Sequence, residues 1–330
     1  MKYFTTTVAA GALSVLATMV PAQDITLKAS HNANADEPYQ IGLEQMGEIL
    51  MEKTGGKATI QAYPNAQLGD GLDSVQGVQL GTIDIAVVAN GVLANSIPDL
   101  SLFSLPFVFD STEQMRAALT DEDVLAYVNE LATDRGFRVL GLFTAGTRHI
   151  MTTDKPLNSL GDIKGLKIRT QQNPAQVDAF RAFGANPTPI AYAELYGSLE
   201  TQVVDGAEAA NTNYRSKNFY EVAPNWAQIG WLQLVSPVVM GEQRFQSLPE
   251  DVRTALLETV REGVPFQHDA YAESDEKAFE FLKEEGVNIT KLDPAPFREA
   301  SQSVHEKYVD TESKQKLSDL VRAAQEKGGN

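Results

Sequence analysis

Cysteine is absent from the 330 residues, so neither a disulfide nor a thiolate metal site can form, and an oxidising compartment carries no risk of mispairing. Histidine is scarce: none of the four, His31, His149, His268 and His305, is spaced from another as a ligand pair on one helix or hairpin. No G-x-S-x-G, H-E-x-x-H, Walker-type loop or G-x-G-x-x-G occurs, which leaves nucleophilic, zinc-dependent and nucleotide-dependent chemistry without a motif. Acid pairs such as Asp121 with Asp123, or Glu284 with Glu285, lie in polar helical runs where solvation accounts for them. No catalytic activity, cofactor or metal is expected. Positive charge is also in deficit, with 27 Lys and Arg against 44 Asp and Glu and a net charge of −17. That field disfavours nucleic acid and anionic membrane as partners, and an anionic ligand requires a local cluster of cations to overcome it.

Long apolar runs are missing too, except at the start. Lys2, the run from Val8 to Val20 and the small-residue pattern Val20-Pro21-Ala22 read as an export signal over residues 1–22, with a mature chain beginning near Gln23. An uncleaved anchor is the alternative, but the run is short for a span of about 20 apolar residues and charged residues do not flank it. The expected location is the periplasm. An apolar share of 43% and a charged share of 22% are those of an ordinary globular protein, with length for about two domains.

Along the chain, "ITLKA" (Ile25 to Ala29) alternates as a strand, and Pro38 opens a helix with Tyr39, Leu43, Met46 and Leu50 on one face. The strand "KATIQAY", a helix from about Asp70 to Leu80 and the apolar strand "IDIAVVA" follow. Helices over 112–119 and 123–134 lead into "FRVLGLFT". The pattern restarts with "GLKIR", a helix from Pro174 to Phe183, the short segment "PTPI", a helix from Ala193 to about Thr201 and "VVDGAEA". This order predicts an α/β fold of two lobes with mostly parallel strands. Leu248 to about Glu285 reads as one long helix leaning across both lobes, and the Lys- and Glu-rich end as a solvated terminal helix. The expected division is 23–145 with about 235–270 as the first lobe, and 146–234 with about 271–330 as the second.

In a sheet of this kind ligands bind beyond the carboxyl ends of strands. Arg169 follows "LKI" at such an end, and Arg148 follows "FRVLGLFT" in the same way, so the two guanidiniums can converge on one anion. The competing reading pairs each with a nearby acid such as Asp162 or Glu194 in a lobe-stabilising salt bridge.

A longer pattern bears on that choice. The run "GLKIRTQQNPAQVDAFRAFGANPTPIAYAELYGSLETQVVDGAE", with "YPNAQLGDG", "QLGTIDIAV", "LSLFSLPFVF" and "GTR" upstream, resembles the solute-binding proteins of TRAP (tripartite ATP-independent periplasmic) transporters, the DctP family. The resemblance covers nearly all of the chain after the signal. It implies a two-lobed periplasmic binding protein-like fold with hinge strands and a long helix spanning both lobes. It further implies that Arg169 clamps a substrate carboxylate, that Arg148 is the second arginine, and that Tyr192 packs on the ligand or else in the core. A guanidinium suits the clamp because its planar fork matches a carboxylate bidentately.

Where many members read Glu-Asn, this chain reads Glu208-Ala209; Glu208 stays among the candidates, and Asn211 or Asn213 is the substitute for the missing asparagine, with Asn211 preferred. Ala89-Asn90 stands where sialic-acid binders carry an acid, so sialic acid is disfavoured. From the first lobe, His31, Asn32, Asn90 and Asp73 complete the expected site, while Asp70 reads as a helix N-cap. These groups suit a polyhydroxylated acid such as D-glucuronate or D-galacturonate better than a C4-dicarboxylate or a 2-oxo or 2-hydroxy monocarboxylate. The expected partners are the ligand and the TRAP membrane permease subunits, with a module feeding a sensor as the alternative, and the protein is expected to be monomeric.

Overall fold

A computed structural model describes residues 25–328, so the expected export signal lies outside the described residues. Among the described residues nine strands form one sheet: β1 (Ile25–Ser30), β2 (Ala58–Tyr63), β3 (Ile85–Val87), β4 (Phe137–Thr152), β5 (Lys167–Thr170), β6 (Asn186–Pro189), β7 (Gly206–Ala209), β8 (Asn225–Gly241) and β9 (Asn288–Lys291). Their order is β2-β1-β3-β8-β4-β7-β5-β6, with β9 beside β8. Pairing is parallel among β1, β2 and β3 and among β5, β6 and β7, as the alternation of strands and helices implies. The sheet as a whole is nevertheless mixed rather than mostly parallel. β4 and β8 run antiparallel to each other, β8 also to β3 and β4 also to β7, while β9 pairs parallel with β8; β4 and β8 join the two lobes as a long shared ribbon.

That ribbon is longer than the sequence pattern implies. β4 continues past Thr144 through a bulge at Ala145 and Gly146, whose φ of 76° suits a residue without a Cβ; a Cβ there would lie 2.5 Å from the Tyr271 ring. β8 contains Gly230 and Pro237, both ordinarily strand breakers, and is buried along nearly its whole length, so polar alternation does not mark it.

Helix α1 (Pro38–Lys53) starts at a proline and buries Leu43, Met46 and Leu50, and helix α2 (Gly71–Leu80) starts at the Asp70 cap and ends at Gly81 in the left-handed region. The helix Glu250–Glu284, about 50 Å long, continues through Gly263 and Pro265. Val260 and Val264 bury against the first lobe, where a Cβ on Gly141 would lie 2.6 Å from Val260. Leu282 buries with Met151, Tyr214 and Trp226 of the second lobe. Each such fully buried side chain contributes about 1.5–3 kcal/mol, so this helix ties the lobes together. The terminal helix Glu312–Gly328 is only half solvated. Leu317, Val321 and Ala324, at helical spacing, bury against the helices Thr112–Thr120 and Glu122–Thr133, so the C-terminal segment rides on the first lobe.

Candidate functional site

Between the lobes lies a narrow cavity with about 60 Å³ of free volume, room for a few waters. Its second-lobe wall is built on strand ends. Ile168 and Thr170 are buried on either side of Arg169, and Asn173 caps the next helix through its side chain with Pro174 at the first turn. Arg169, 2% exposed, donates from Nε to the Ile190 carbonyl (3.0 Å) and from Nη1 to Glu208 Oε1 (3.3 Å). Among the described residues its Nη2 donates to no protein group. Arg148 lies within β4, not at its end: the bulge at Gly146 lets one strand continue while turning this side chain to the cleft. It donates from Nε to Glu208 Oε2 (2.7 Å) and from Nη1 to Asn213 Oδ1 (2.9 Å).

Both arginines therefore share one acid, Glu208, which is fully buried behind them and does not line the cavity. Asp162 instead caps a turn at Ser159, and Glu194 is exposed. Burial opposes both guanidinium charges. At Arg148 the short Glu208 contacts outweigh it and hold the pKa above the ordinary range; at Arg169, with a longer contact and Arg148 beside it, burial prevails and the pKa lies below that range. Tyr192 also lines the cavity, with its ring centre 5.8 Å from the Arg169 guanidinium carbon and its hydroxyl buried without a partner. Burial, aided by Glu37, pushes that hydroxyl's pKa well above 10.

The first-lobe wall consists of Asn32, Asp70, Gly71, Tyr39, Ala89 and Val92. Asp70 caps α2 through Gly71 N (2.8 Å), accepts from Asn32 Nδ2 (2.7 Å), and accepts from Ala193 N across the cleft (3.1 Å). It thus serves as cap and cavity wall together. Further bonds cross between the lobes at Glu37, which accepts from Asn213 Nδ2 (2.8 Å) and Ser216 Oγ (2.9 Å). Burial raises the pKa of Glu37, opposed by the bonds from Asn34 N and Ser216 Oγ and by Lys217. Asn173 and Asn95 make two more crossings, to Gly91 and Gln172.

Of the residues expected at the site, Arg169, Arg148, Tyr192 and Asn32 line the cavity, and the others are placed elsewhere. His31 is buried beneath it, bonded to Gln40 (2.9 Å) and edge-on to Tyr39. Asn90 is fully buried and braces Leu100 and Ser104. Asn211 ties the long helix to β8 through Asp275 (2.8 Å) and Trp226 (2.9 Å), and its neighbour Asn213 faces the cavity. Asp73 is exposed on α2, outside the cavity that Asp70 lines. Sequence reasoning missed Gln171, whose Oε1 is buried without a partner at the cavity wall; its signal was its place two residues after Arg169.

Two lobes joined by a strand ribbon and a long helix, closed over a small cavity with paired arginines, define a protein that encloses a small anionic solute. The model of the bacterial extracellular solute-binding proteins, family 7 (DctP), matches residues 29–312, and the chain belongs to that family. The 2,3-diketo-L-gulonate-binding periplasmic protein YiaO of Escherichia coli is 29% identical over 83% of this chain and 84% of its own length. A TRAP periplasmic solute-binding protein of Sulfitobacter solved with bound β-D-galacturonate is 29% identical, with TM-score 0.85 over 90% of this chain and 99% of that one. One from Anaerococcus prevotii with bound D-glucuronate is 28% identical, with TM-score 0.88 over 92% and 99%. Among the described residues no helix is long and apolar enough to cross a membrane.

Proposed function

We propose that this protein captures a sugar acid, with D-glucuronate or D-galacturonate as the leading class, in the periplasm and hands it unchanged to the membrane permease subunits of a TRAP transporter. The observation that carries the reading is Arg169: a buried guanidinium with its Nη2 uncommitted, beside the Tyr192 ring, in a cavity it shares with Arg148 and Asp70 and that is otherwise lined by amides, hydroxyls and apolar groups. Relatives of the same fold hold uronates. The ligand carboxylate docks on Arg169 and Arg148, its ring packs on Tyr192, and its hydroxyls meet Asn32, Gln171, Asn213 and Asp70. The ribbon of β4 and β8 acts as the hinge, with the first lobe formed by 23–145 and about 235–270 and the second by 146–234 and about 271–330, save that the terminal helix Glu312–Gly328 packs on the first lobe. Closure expels water and strengthens the ion pair in a lower dielectric. The export signal is removed at about residue 22, and the mature protein is a monomer.

A thermal-shift screen over uronates, aldonates, C4-dicarboxylates and 2-oxo acids tests the reading, since a ligand that binds the native state raises the melting temperature. Uronates or aldonates are expected to give the largest shifts, and the ligand is expected to be recovered chemically unaltered. A shift confined to dicarboxylates, or turnover of the ligand, would overturn it.

A further inference from the structure

The charges around the cavity limit the charge of what it admits. Glu208 divides its two oxygens between Arg148 and Arg169, so the two guanidiniums together offer a ligand one unit of positive charge. On the opposite wall stands the carboxylate of Asp70. Its partners, Asn32 Nδ2, Gly71 N and Ala193 N, are all neutral donors, and among the described residues no cation bonds to it. The nearby Lys217 is turned aside: its ammonium is bonded to the side-chain oxygens of Asn34 and Asn65, and it does not line the cavity.

We infer that Asp70 makes the site selective for sugar acids carrying a single carboxylate and excludes the matching dicarboxylic acids; this rests on the sugar-acid reading above. With one carboxylate on Arg169, a hydroxyl in the rest of the small cavity can donate to the remaining lone pairs of Asp70. A second carboxylate in its place offers no proton and meets like charge, with the ammonium of Lys217 held by Asn34 and Asn65 outside the cavity. For charges about 6 Å apart at an effective dielectric of about 20, that repulsion corresponds to roughly a hundredfold in affinity. Asp70 thus acts as a charge filter as well as a helix cap, and an isosteric amide retains the capping oxygen while removing the filter.

The test is calorimetric titration of the mature protein and of Asp70→Asn with pairs that differ only by a terminal CH₂OH or COO⁻: gluconate with glucarate, and galactonate with galactarate. D-glucuronate and D-galacturonate serve as further single-carboxylate probes. For the wild type, the aldonate is expected to bind about a hundredfold more tightly than its aldarate. In Asp70→Asn the ratio is expected to fall at least tenfold, chiefly by a gain for the aldarate. Aldarate binding within a few-fold of aldonate in the wild type overturns the inference, as does a ratio unchanged by Asp70→Asn, which would mark exclusion by shape. Both results leave the sugar-acid reading standing. Failure of the wild type to bind any uronate, aldonate or aldarate would overturn that reading and this inference with it.

Discussion

On the second-lobe side of the cleft the charged groups are buried and paired with one another, beside the neutral Gln171, Tyr192 and Asn213, whereas on the first-lobe side the polar groups are an amide, a tyrosine hydroxyl and one carboxylate with neutral partners. The contrast separates two tasks. Arg148, Arg169 and Glu208 are desolvated whether or not a solute is present, so they are held ready for an anion without rearrangement. On the proposed function, the first-lobe groups supply hydrogen bonds that depend on where the rest of the solute lies, and they set its identity more than its affinity.

Breaking the ionic wall gives the largest effect. Arg169→Ala leaves Glu208 underpaired and the solute carboxylate unclamped, and is expected to cost about 3–5 kcal/mol of binding, more than a hundredfold by calorimetry. Unchanged affinity would remove Arg169 from the site.

Loosening the ribbon that carries both walls comes next. His149 Nδ1 accepts from the backbone N–H groups of Ile229 and Gly230, and burial lowers its pKa to about 3; burial likewise lowers that of His268 to about 4. The unfolded chain, near 6.5, binds more protons in this window. Their contribution to stability is therefore complete above about pH 6.5 and declines as pH falls towards 4 and 3, by up to about 1.4 kcal/mol per pH unit for each histidine. Melting temperatures by calorimetry at pH 7 and pH 5 should fall accordingly, and His268→Gln should flatten the slope.

The bonds across the cleft sharpen the comparison, because they exist only when the walls meet. Glu37→Ala removes the acceptor of Asn213 and Ser216, and is expected to cost about 1–3 kcal/mol, expressed as faster ligand release with little change in association rate. Stopped-flow kinetics showing a slowed association alone would contradict this. At the small end, Asn32→Ala should weaken binding by about 1 kcal/mol, whereas Asp73→Ala, exposed and outside the cavity, should stay within about 0.5 kcal/mol of wild type.

Legibility in the sequence followed the same division. Arg169 stood out because Leu166 and Ile168 mark a strand and Asn173-Pro174 a helix start, leaving a costly charge between them. Arg148 was recognised as facing the cleft, but the bulge that turns it there belongs to a strand pairing in which β8, the partner, has no alternation to announce it. The choice between Asn211 and Asn213 could not be made from pattern, because two residues on a helix point about 200° apart and sequence does not say which side faces the cleft. The Asp70 cap was legible; its contact with Asn32, 38 residues away in sequence, was not.

The sequence by itself determined the class of protein, the two α/β lobes, the long helix and the placing of Arg169 at the cleft, since each rests on local periodicity or on a run of contiguous residues. The tertiary structure alone decided that one glutamate serves both arginines, that Asp70 rather than Asp73 forms the first-lobe wall, and that Asn213 links Arg148 to Glu37 across the cleft. These are contacts between segments far apart in the chain, and their geometry comes from the pairing of β4 with β8 and the packing of the long helix over both lobes, which no local pattern encodes.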